Sequence, residues 1–439
     1  MNKELTARSA CLQILNNFSD DRSVRFSIAD SLDARGKAQV REYTQGIFRK
    51  LSYLDFLISE YSSVKIGEMK KSLHNLLRLA LYDLLFMDST PDYAAINEAV
   101  NLAKFTISHK TGDLVNAIMR NIQRDIENLP KPAFKDRTKL VATTFSHPEW
   151  LVKRWSKRLG EREAFKLMQS NNQRPHFYIR TNNLRTKTEY FKLRMQKHDI
   201  PFEESDLLPG YFKVDSVQPF LEKEWVQKGF CQIQDVAAGF APTILDPQKG
   251  ENVYDLCAAP GTKSIMIADK MECEGSVLAV DSDTERLEKL AQSALCYDAD
   301  IIKIRRGDVL DVRLPLADAV LLDAPCTGTG VLSKRADLRW RRTPEDLANI
   351  VERQANLLDA AANMVSKHGR LVYSTCSLEP EENMEQIYNF LDEYDNFELQ
   401  NLEDYLDEDL LIEDGKAYQS YPHKHGCDGH FGVLLKRLK

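Results

Sequence analysis

The stretch that most constrains this 439-residue chain is residues 252–264, NVYDLCAAPGTKS. An apolar run of strand-forming residues at 253–256 is ended by Pro260 and Gly261, after which helical character resumes. We therefore predict a strand, a tight turn and a helix. Small residues in the turn let a ligand approach the backbone, and the first amides of the helix face it with partial positive charge. Such a turn suits the carboxylate or phosphate of a cofactor, although many doubly wound domains turn a corner in the same way.

Downstream of that turn, strands and helices alternate with the rhythm of a parallel sheet. The apolar runs that predict its further strands are residues 275–281, 301–304, 317–323 and 369–374. Asp281 lies 26 residues after Asp255, where a doubly wound sheet places a carboxylate that accepts hydrogen bonds from a ribose. Asp308 follows the third strand, where it can meet an adenine edge. A single strand-end acid is often a helix cap, but acids at three successive strand ends favour an adenosine-type cofactor.

Two cysteines follow the last two of these strands. Cys326 lies in LLDAPCTGTG (residues 321–330) and Cys376 in YSTCSLEPEEN (residues 373–383). The carboxyl ends of parallel strands meet at one edge of the sheet, where open α/β sheets bind ligands. The two thiols are therefore candidates for covalent catalysis rather than small buried hydrophobes. Spacing alone leaves open which thiol attacks.

The N-terminal part of the chain predicts a different architecture. Apolar residues recur at helical spacing through residues 1–128, as in the run 73–81, and predict a bundle of roughly five helices. Residues 129–133, LPKPA, form a proline-containing linker, and a strand is predicted at 177–180. We therefore predict three domains: an all-α domain at 1–130, a linker and small α+β subdomain at 131–230, and an α/β domain at 231–439.

Charge is unevenly distributed along the sequence. Residues 1–230 carry a net charge of +9 and residues 231–439 a net charge of -16, which suggests that the N-terminal half meets a polyanion. A predicted amphipathic helix at 149–159 carries two adjoining basic rows beside an apolar face. The candidate RNA-binding residues are Lys153, Arg154, Lys157, Arg158 and Arg180. The alternative is a solvated basic face.

The positions of the cysteines and the hydropathy of the sequence exclude several classes of protein. The eight cysteines include no Cys-x-x-Cys pair, so neither a disulfide framework nor a zinc site is expected, and we predict no metal. The sequence contains no run of eighteen apolar residues, and residues 1–5 lack the layout of a signal peptide. We therefore expect a cytoplasmic protein, a monomer without a membrane partner.

Four motifs carry a resemblance to a known family. DLCAAPGTKS, AVDSD, LLDAPCTGTG and YSTCSLEPEEN, in this order and spacing, resemble the RNA 5-methylcytosine methyltransferases (NOL1/NOP2/Sun family), which use S-adenosylmethionine. VREYTQGIFRK and AAINEAVNLAK resemble the NusB-like RNA-binding domain that precedes this catalytic domain in bacterial 16S ribosomal RNA methyltransferases of the Sun/Fmu type. The resemblance covers nearly the whole chain. It implies an α/β Rossmann-like, S-adenosylmethionine-dependent methyltransferase domain after a small α+β subdomain and an all-α NusB-like domain, with 16S ribosomal RNA as partner.

The resemblance also implies roles for individual residues. Cytosine C5 is too electron-poor to attack a methyl sulfonium, so a thiolate must first add at C6. Cys376 is then the nucleophile, and Cys326 assists removal of the C5 proton or release of the product. Asp323 holds or protonates N3 of the base, and Lys263 makes the pocket electropositive, which favours a thiolate. The implied cofactor-binding residues are Asp255, Cys257, Ala258, Ala259, Pro260, Gly261, Thr262, Lys263, Asp281, Asp308 and Asp323.

Two residues depart from the family pattern, and two other functions stay open. Thr262 stands where the family usually has a second glycine, and His430 where it has an aromatic residue; they affect cofactor fit and the closing strand, respectively. An amino-methyltransferase would carry Asp-Pro-Pro-Tyr at residues 323–326, so methylation of an amino group is disfavoured. The alternative from another class is a non-catalytic RNA-binding antitermination or ribosome-assembly factor. The cysteines and the strand-end acids argue against it.

Overall fold

The computed structural model describes residues 5–18, 24, 26–87 and 90–439. The α-helices are α1 (Ala7–Asn17), α2 (Ala34–Tyr61), α3 (Lys71–Phe86), α4 (Asp92–Thr106), α5 (His109–Arg124), α6 (Arg137–Phe145), α7 (Glu149–Leu159), α8 (Glu161–Asn171), α9 (Thr188–Lys197), α10 (Gln218–Glu222), α11 (Phe240–Leu245), α12 (Thr262–Lys270), α13 (Thr284–Cys296), α14 (Leu338–Arg341), α15 (Pro344–Ala362), α16 (Met384–Glu393) and α17 (Pro422–His425). The strands are β1 (Phe177–Thr181), β2 (Glu203–Glu204), β3 (Tyr211–Val214), β4 (Cys231–Ile233), β5 (Asn252–Leu256), β6 (Ser276–Asp281), β7 (Ile302–Arg306), β8 (Ala317–Asp323), β9 (Val365–Thr375), β10 (Phe397–Leu399), β11 (Leu411–Ile412), β12 (Ala417–Gln419) and β13 (Phe431–Arg437). No helix in the described part of the chain is long and apolar enough to cross a membrane.

The chain divides into two compact units. Unit 1 comprises Met1–Arg174 and Leu332–Thr343, and unit 2 comprises Pro175–Val331 and Pro344–Lys439. Helices α6 to α8, which we assigned from sequence to the middle segment, thus lie in unit 1. The segment Leu332–Thr343, which follows Cys326 in the sequence, also lies in unit 1.

Unit 1 is helical, as its apolar periodicity predicts. Helices α1 to α5 share one hydrophobic core, in which Tyr43, Leu77 and Val115 are fully buried. The run predicted at residues 73–81 lies inside α3, and most of its apolar side chains are buried. Burial of such side chains contributes about 1.5–3 kcal/mol each, which outweighs weak intrinsic helix propensity.

The segment Leu332–Thr343 is held in unit 1 by buried polar contacts. Arg339 is fully buried, and its guanidinium donates hydrogen bonds to the carbonyls of Ser146 (3.0 Å) and Asn171 (3.0 Å) and to Asn172 Oδ1 (2.7 Å). Burial and the nearby Arg49 lower the pKa of Arg339 to about 9, so it remains charged at neutral pH. Because a buried charge is tolerated only when it is hydrogen-bonded, these acceptors fix the path of the segment.

Unit 2 begins with a small antiparallel sheet of order β2-β3-β1-β4. Its apolar face packs on α9 and α10 through Phe191, Phe212, Phe220 and Trp225. The strand predicted at residues 177–180 is β1, and the helix that follows it is α9.

The larger sheet of unit 2 has the order β11-β12-β13-β9-β8-β5-β6-β7, with β10 paired to β13. Strands β5 to β9 are parallel, and β13 joins β9 antiparallel. Buried residues cover both faces of the central strands β5, β6 and β8, which explains why these strands are nearly continuous apolar runs in the sequence; the edge strand β7 is mostly exposed. The strand order reverses between β5 and β8, so the ligand crevice of this sheet lies at their carboxyl ends.

Candidate active site

The turn between β5 and α12 is a close-approach loop. Gly261 has a φ of 101°, and a Cβ atom added there would clash with the side chain of Leu290. Cys257, which leaves β5, is also in the left-handed region, with a φ of 61°. Gly261 therefore cannot be replaced without moving the loop away from α13, and the loop leads directly into the N-terminal amides of α12.

Two of the predicted acids stabilise this loop from within. Asp255 is fully buried and accepts a hydrogen bond from Ser264 Oγ at 2.5 Å; burial raises its pKa to about 7. Asp281, at the end of β6, accepts from Ala259 N (3.0 Å) through one oxygen and from Asp283 N (2.9 Å) through the other. Each carboxylate oxygen has two lone pairs, so Asp281 retains acceptor capacity for a ribose hydroxyl pair.

The third predicted acid lies at the same edge of the sheet with a basic partner. Asp308 follows β7, pairs with Arg353 at 2.8 Å and accepts from Leu310 N at 3.1 Å. These contacts hold the pKa of Asp308 below its usual value, with the Arg353 hydrogen bond as the largest cause. Loop, acids and open edge fit an adenosine cofactor with a charged tail.

Asp323 and Lys263 form an ion pair at the centre of this edge. Lys263 Nζ lies 2.6 Å from Asp323 Oδ2, while Ser374 Oγ donates to Asp323 Oδ1 at 2.9 Å. Burial alone would raise the pKa of Asp323, but the Lys263 ammonium keeps it below its usual value. Burial would likewise lower the pKa of Lys263, but Asp323 raises it. Both groups are therefore charged at neutral pH, which places a fixed cation and a fixed anion beside the thiols.

His430, a departure from the family pattern, is a buried neutral side chain beside this pair. Its Nδ1 lies 2.9 Å from the Tyr418 hydroxyl, and its Nε2 lies 3.8 Å from Asp323 Oδ1. Burial, together with the nearby Lys263 ammonium, lowers the pKa of His430 to about 3. His430 thus occupies the position at the start of β13 as a polar, uncharged ring.

The two predicted thiols are adjacent. Cys326 Sγ and Cys376 Sγ are 3.1 Å apart, on the turns that leave the neighbouring strands β8 and β9. The hydrogen bond to Cys376 and then burial raise the pKa of Cys326 well above its usual value. Cys326 therefore favours its protonated form. The close contact of the two sulfur atoms could not be obtained from spacing.

The predicted RNA-binding residues separate into two groups. On α7, Lys153 and Lys157 are exposed, while Arg154 and Arg158 are half-buried. Arg180 requires a correction: it is buried in unit 2, pairs with Asp269 at 2.9 Å, and cannot reach a phosphate at the surface. This ion pair could not be predicted, because its two residues lie 89 positions apart in the chain.

Two serine hydroxyl groups of the candidate active site were not predicted from the sequence. Ser264 and Ser374 donate to Asp255 and Asp323, respectively. Both residues stand inside motifs that we had quoted, and Ser374 is the register partner of Asp323 in the β8–β9 ladder. The pairing of Ser374 with Asp323 could have been predicted only if the ends of β8 and β9 had been known to within one residue.

Fold and site define a class of protein. A parallel sheet with an antiparallel strand beside β9, a glycine turn after β5 and an acid after β6 are the features of a Rossmann-like methyltransferase. Models of known families agree: one described as 16S rRNA methyltransferase RsmB/F matches residues 242–436, the NusB family matches 5–124, and an RsmF/B-like ferredoxin-like domain matches 147–220.

Known proteins resemble the chain along nearly its full length. The probable ribosomal RNA small subunit methyltransferase B of Bacillus subtilis is 32% identical, covering 93% of this chain and 92% of that protein. The ribosomal RNA small subunit methyltransferase B of Photorhabdus laumondii is 30% identical, covering 99% and 98%. Among solved structures, the crystal structure of PH0851 superimposes with a TM-score of 0.82 and 26% sequence identity, and the match covers 99% of this chain and 100% of that one. The chain therefore belongs to the RsmB/F family of 16S rRNA methyltransferases, which are S-adenosylmethionine-dependent enzymes.

Proposed function

We propose that this protein methylates C5 of one cytosine in 16S ribosomal RNA through a covalent bond between Cys376 and C6 of the base. The observation that carries the proposal is the pair of thiols 3.1 Å apart beside the Lys263–Asp323 ion pair. A methyltransferase acting on an oxygen or an exocyclic nitrogen has no need of a sulfur nucleophile, because those atoms attack a methyl sulfonium directly.

The charged pair suits activation of the base. The Asp323 carboxylate can accept a hydrogen bond from a cytosine ring that has taken a proton from water at N3; this protonated form draws electron density from C6 and favours addition of the Cys376 sulfur. The Lys263 ammonium stabilises both the thiolate before attack and the charge that develops on the ring. S-adenosylmethionine, when bound, supplies an electrophilic methyl group on a positively charged sulfur. The bond from Cys376 makes C5 nucleophilic towards it.

The proton balance at the thiols gives Cys326 its place in the reaction. Before addition, the hydrogen bond to Cys376 and then burial raise the pKa of Cys326. Once the Cys376 sulfur is bonded to carbon it is no longer an anion, so a principal cause of that high pKa is gone. Cys326 can then lose its proton to water, and its thiolate accepts the proton of C5. The electron pair of the C5–H bond re-forms the C5=C6 double bond, so that Cys376 leaves C6 as a thiolate and 5-methylcytosine is released.

The reaction is tested by transfer of labelled methyl from S-adenosylmethionine to 16S ribosomal RNA, followed by digestion and identification of the labelled nucleoside. We expect 5-methylcytidine at one position. Label in N4-methylcytidine or in a ribose methyl group would contradict the chemistry, and no transfer at all would favour the non-catalytic alternative. Because its proposed substrate is ribosomal RNA, we propose that the enzyme acts in the cytoplasm, as a monomer.

The cofactor site predicts the effect of Asp281→Ala. Loss of the acceptor for the ribose hydroxyls removes charge-assisted hydrogen bonds worth about 1.5–3 kcal/mol each, so affinity for S-adenosylmethionine should fall at least tenfold. The variant also frees Ala259 N, which acts in the same direction. Calorimetric titration measures the loss, with Asp404→Ala, an exposed aspartate of the same domain, as control. Unchanged affinity in a folded Asp281→Ala protein would refute the assignment.

A second prediction concerns RNA contact by α7. Replacing Lys153 and Lys157 by alanine should weaken RNA binding and flatten the dependence of log affinity on log salt by about 0.7–0.9 per lost phosphate contact. The matched control removes two exposed lysines before α6, Lys131 and Lys135. Fluorescence anisotropy at several salt concentrations gives the slopes. If both double variants keep the slope of the unmodified protein, the basic rows of α7 are a solvated face.

A further inference from the structure

Glu382 is a buried carboxylate between the two cysteine turns that the reaction described above does not use. It ends the short helical turn Pro380–Glu382 and has no exposed surface. The groups that donate to it are neutral: Thr327 N at 2.8 Å, Gln354 Nε2 at 3.1 Å, and the hydroxyls of Thr327 and Ser377. Burial raises its pKa, and these hydrogen bonds oppose the rise.

Two of the residues that donate to Glu382 are sequence neighbours of the two thiols. Thr327 directly follows Cys326, and Ser377 directly follows Cys376. Both hydroxyls reach the same oxygen, Glu382 Oε1, and they also lie 3.2 Å from each other. One carboxylate therefore joins the residue after each thiol.

Such a connection is needed because the sheet ends before the thiols. The last register pair of β8 and β9 is Asp323 with Ser374, and Ala324 N still bonds to Ser374 O at 2.8 Å. Beyond that point the two turns share one backbone hydrogen bond, from Gly330 N to Cys376 O at 3.0 Å. The relative position of the two sulfur atoms, 3.1 Å apart, therefore depends mainly on side-chain contacts between the turns.

Gln354 extends the connection to the helix behind the turns. Its Nε2 donates both to Glu382 Oε2 and to the carbonyl of Pro325 at 3.0 Å, immediately before Cys326. The Cys326 turn is thus fixed from both sides, through Pro325 and through Thr327. The Tyr373 hydroxyl donates to the Glu382 carbonyl at 2.8 Å and fixes the carboxylate's own backbone.

We propose that Glu382 is a positioning residue that holds Cys326 against the Cys376–base adduct so that the C5 proton can be removed. It touches neither the base nor the cofactor. Its effect is on the alignment of the second thiol, so its loss slows resolution of the adduct more than formation of the adduct. This inference rests on the proposed function.

The test compares three substitutions. Glu382→Ala removes the connection, and Glu382→Asp is too short to reach both turns. Glu382→Gln keeps it: the amide oxygen accepts from Thr327 N and Gln354, and the amide nitrogen donates to the two hydroxyl oxygens. We expect Glu382→Ala and Glu382→Asp to lower kcat about 100-fold, to leave the KM for S-adenosylmethionine within about threefold, and to accumulate a denaturant-resistant protein–RNA adduct. Glu382→Gln should stay within about tenfold of normal turnover without adduct.

Normal turnover by Glu382→Ala would overturn the inference, as would a loss of activity without adduct. Equal inactivity of a folded Glu382→Gln would also overturn it, because charge rather than alignment would then matter. If Glu382→Ala does not fold, Ser377→Ala provides a second test, because it removes only the hydrogen bond from the Ser377 hydroxyl to Glu382. This variant should accumulate less adduct than Glu382→Ala would. Absence of any adduct with Ser377→Ala counts against the proposal. Failure of the proposed function is distinguishable, because Cys326→Ala would then yield no adduct either.

Discussion

Replacing Cys376 by alanine is expected to abolish methyl transfer and every covalent protein–RNA species. The adjacent thiol, Cys326, has a pKa raised well above its usual value, which makes it a poor nucleophile. Loss of the attacking group should cost at least about 10⁴-fold in kcat. Binding of S-adenosylmethionine should be unchanged, because Asp255, Asp281 and the turn at Gly261 remain. A filter assay with labelled cofactor and a titration of cofactor binding measure the two quantities.

Cys296→Ala serves as the matched control for this variant. Cys296 is a half-buried free thiol at the end of α13, away from the edge of the sheet that holds the site. It should keep normal activity. A Cys376→Ala protein that still methylates RNA would show that Cys376 is not the nucleophile.

The variant Cys326→Ala is expected to methylate once and then stall. Addition of Cys376 and transfer to C5 do not need Cys326, but removal of the C5 proton does, so the thioether to C6 persists. Multiple turnover should fall by about 10²–10⁴-fold, the range for loss of a general base. A band that survives denaturant should appear only when both RNA and cofactor are present. The double variant Cys326→Ala, Cys376→Ala should give no band, which ties the adduct to Cys376.

The catalytic half of the fold could be predicted from sequence because its central strands are buried on both faces. Residues 317–323, for example, contain an uninterrupted apolar run, and the structure places β8 over the same span. The turns at Gly261 and at Cys326 could also be predicted, because glycine and proline residues mark them in the sequence. The parallel order of the strands then brought Asp281, Asp323 and the two cysteines to one edge, as predicted.

Contacts between residues distant in sequence could not be predicted. The segment Leu332–Thr343 reads as a polar basic loop, yet it belongs to unit 1, where Arg339 finds acceptors more than 150 residues away in the chain. Likewise, Glu382 stands in the motif SLEPEEN with two other glutamates, and nothing in the sequence distinguishes it from Glu379 or Glu381. Its role depends on Thr327, 55 residues before it.

The most direct test of the account is the identity of the cysteine in the stalled adduct. Cys326→Ala protein is incubated with 16S ribosomal RNA and S-adenosylmethionine, denatured and digested with protease and nuclease, and the cross-linked peptide is sequenced by mass spectrometry. We expect a single peptide containing Cys376, whose added mass is that of a cytidine nucleotide with one extra methyl group. An adduct that instead accumulates with Cys376→Ala and maps to Cys326 would refute the proposed mechanism, because the two thiols would then have exchanged roles.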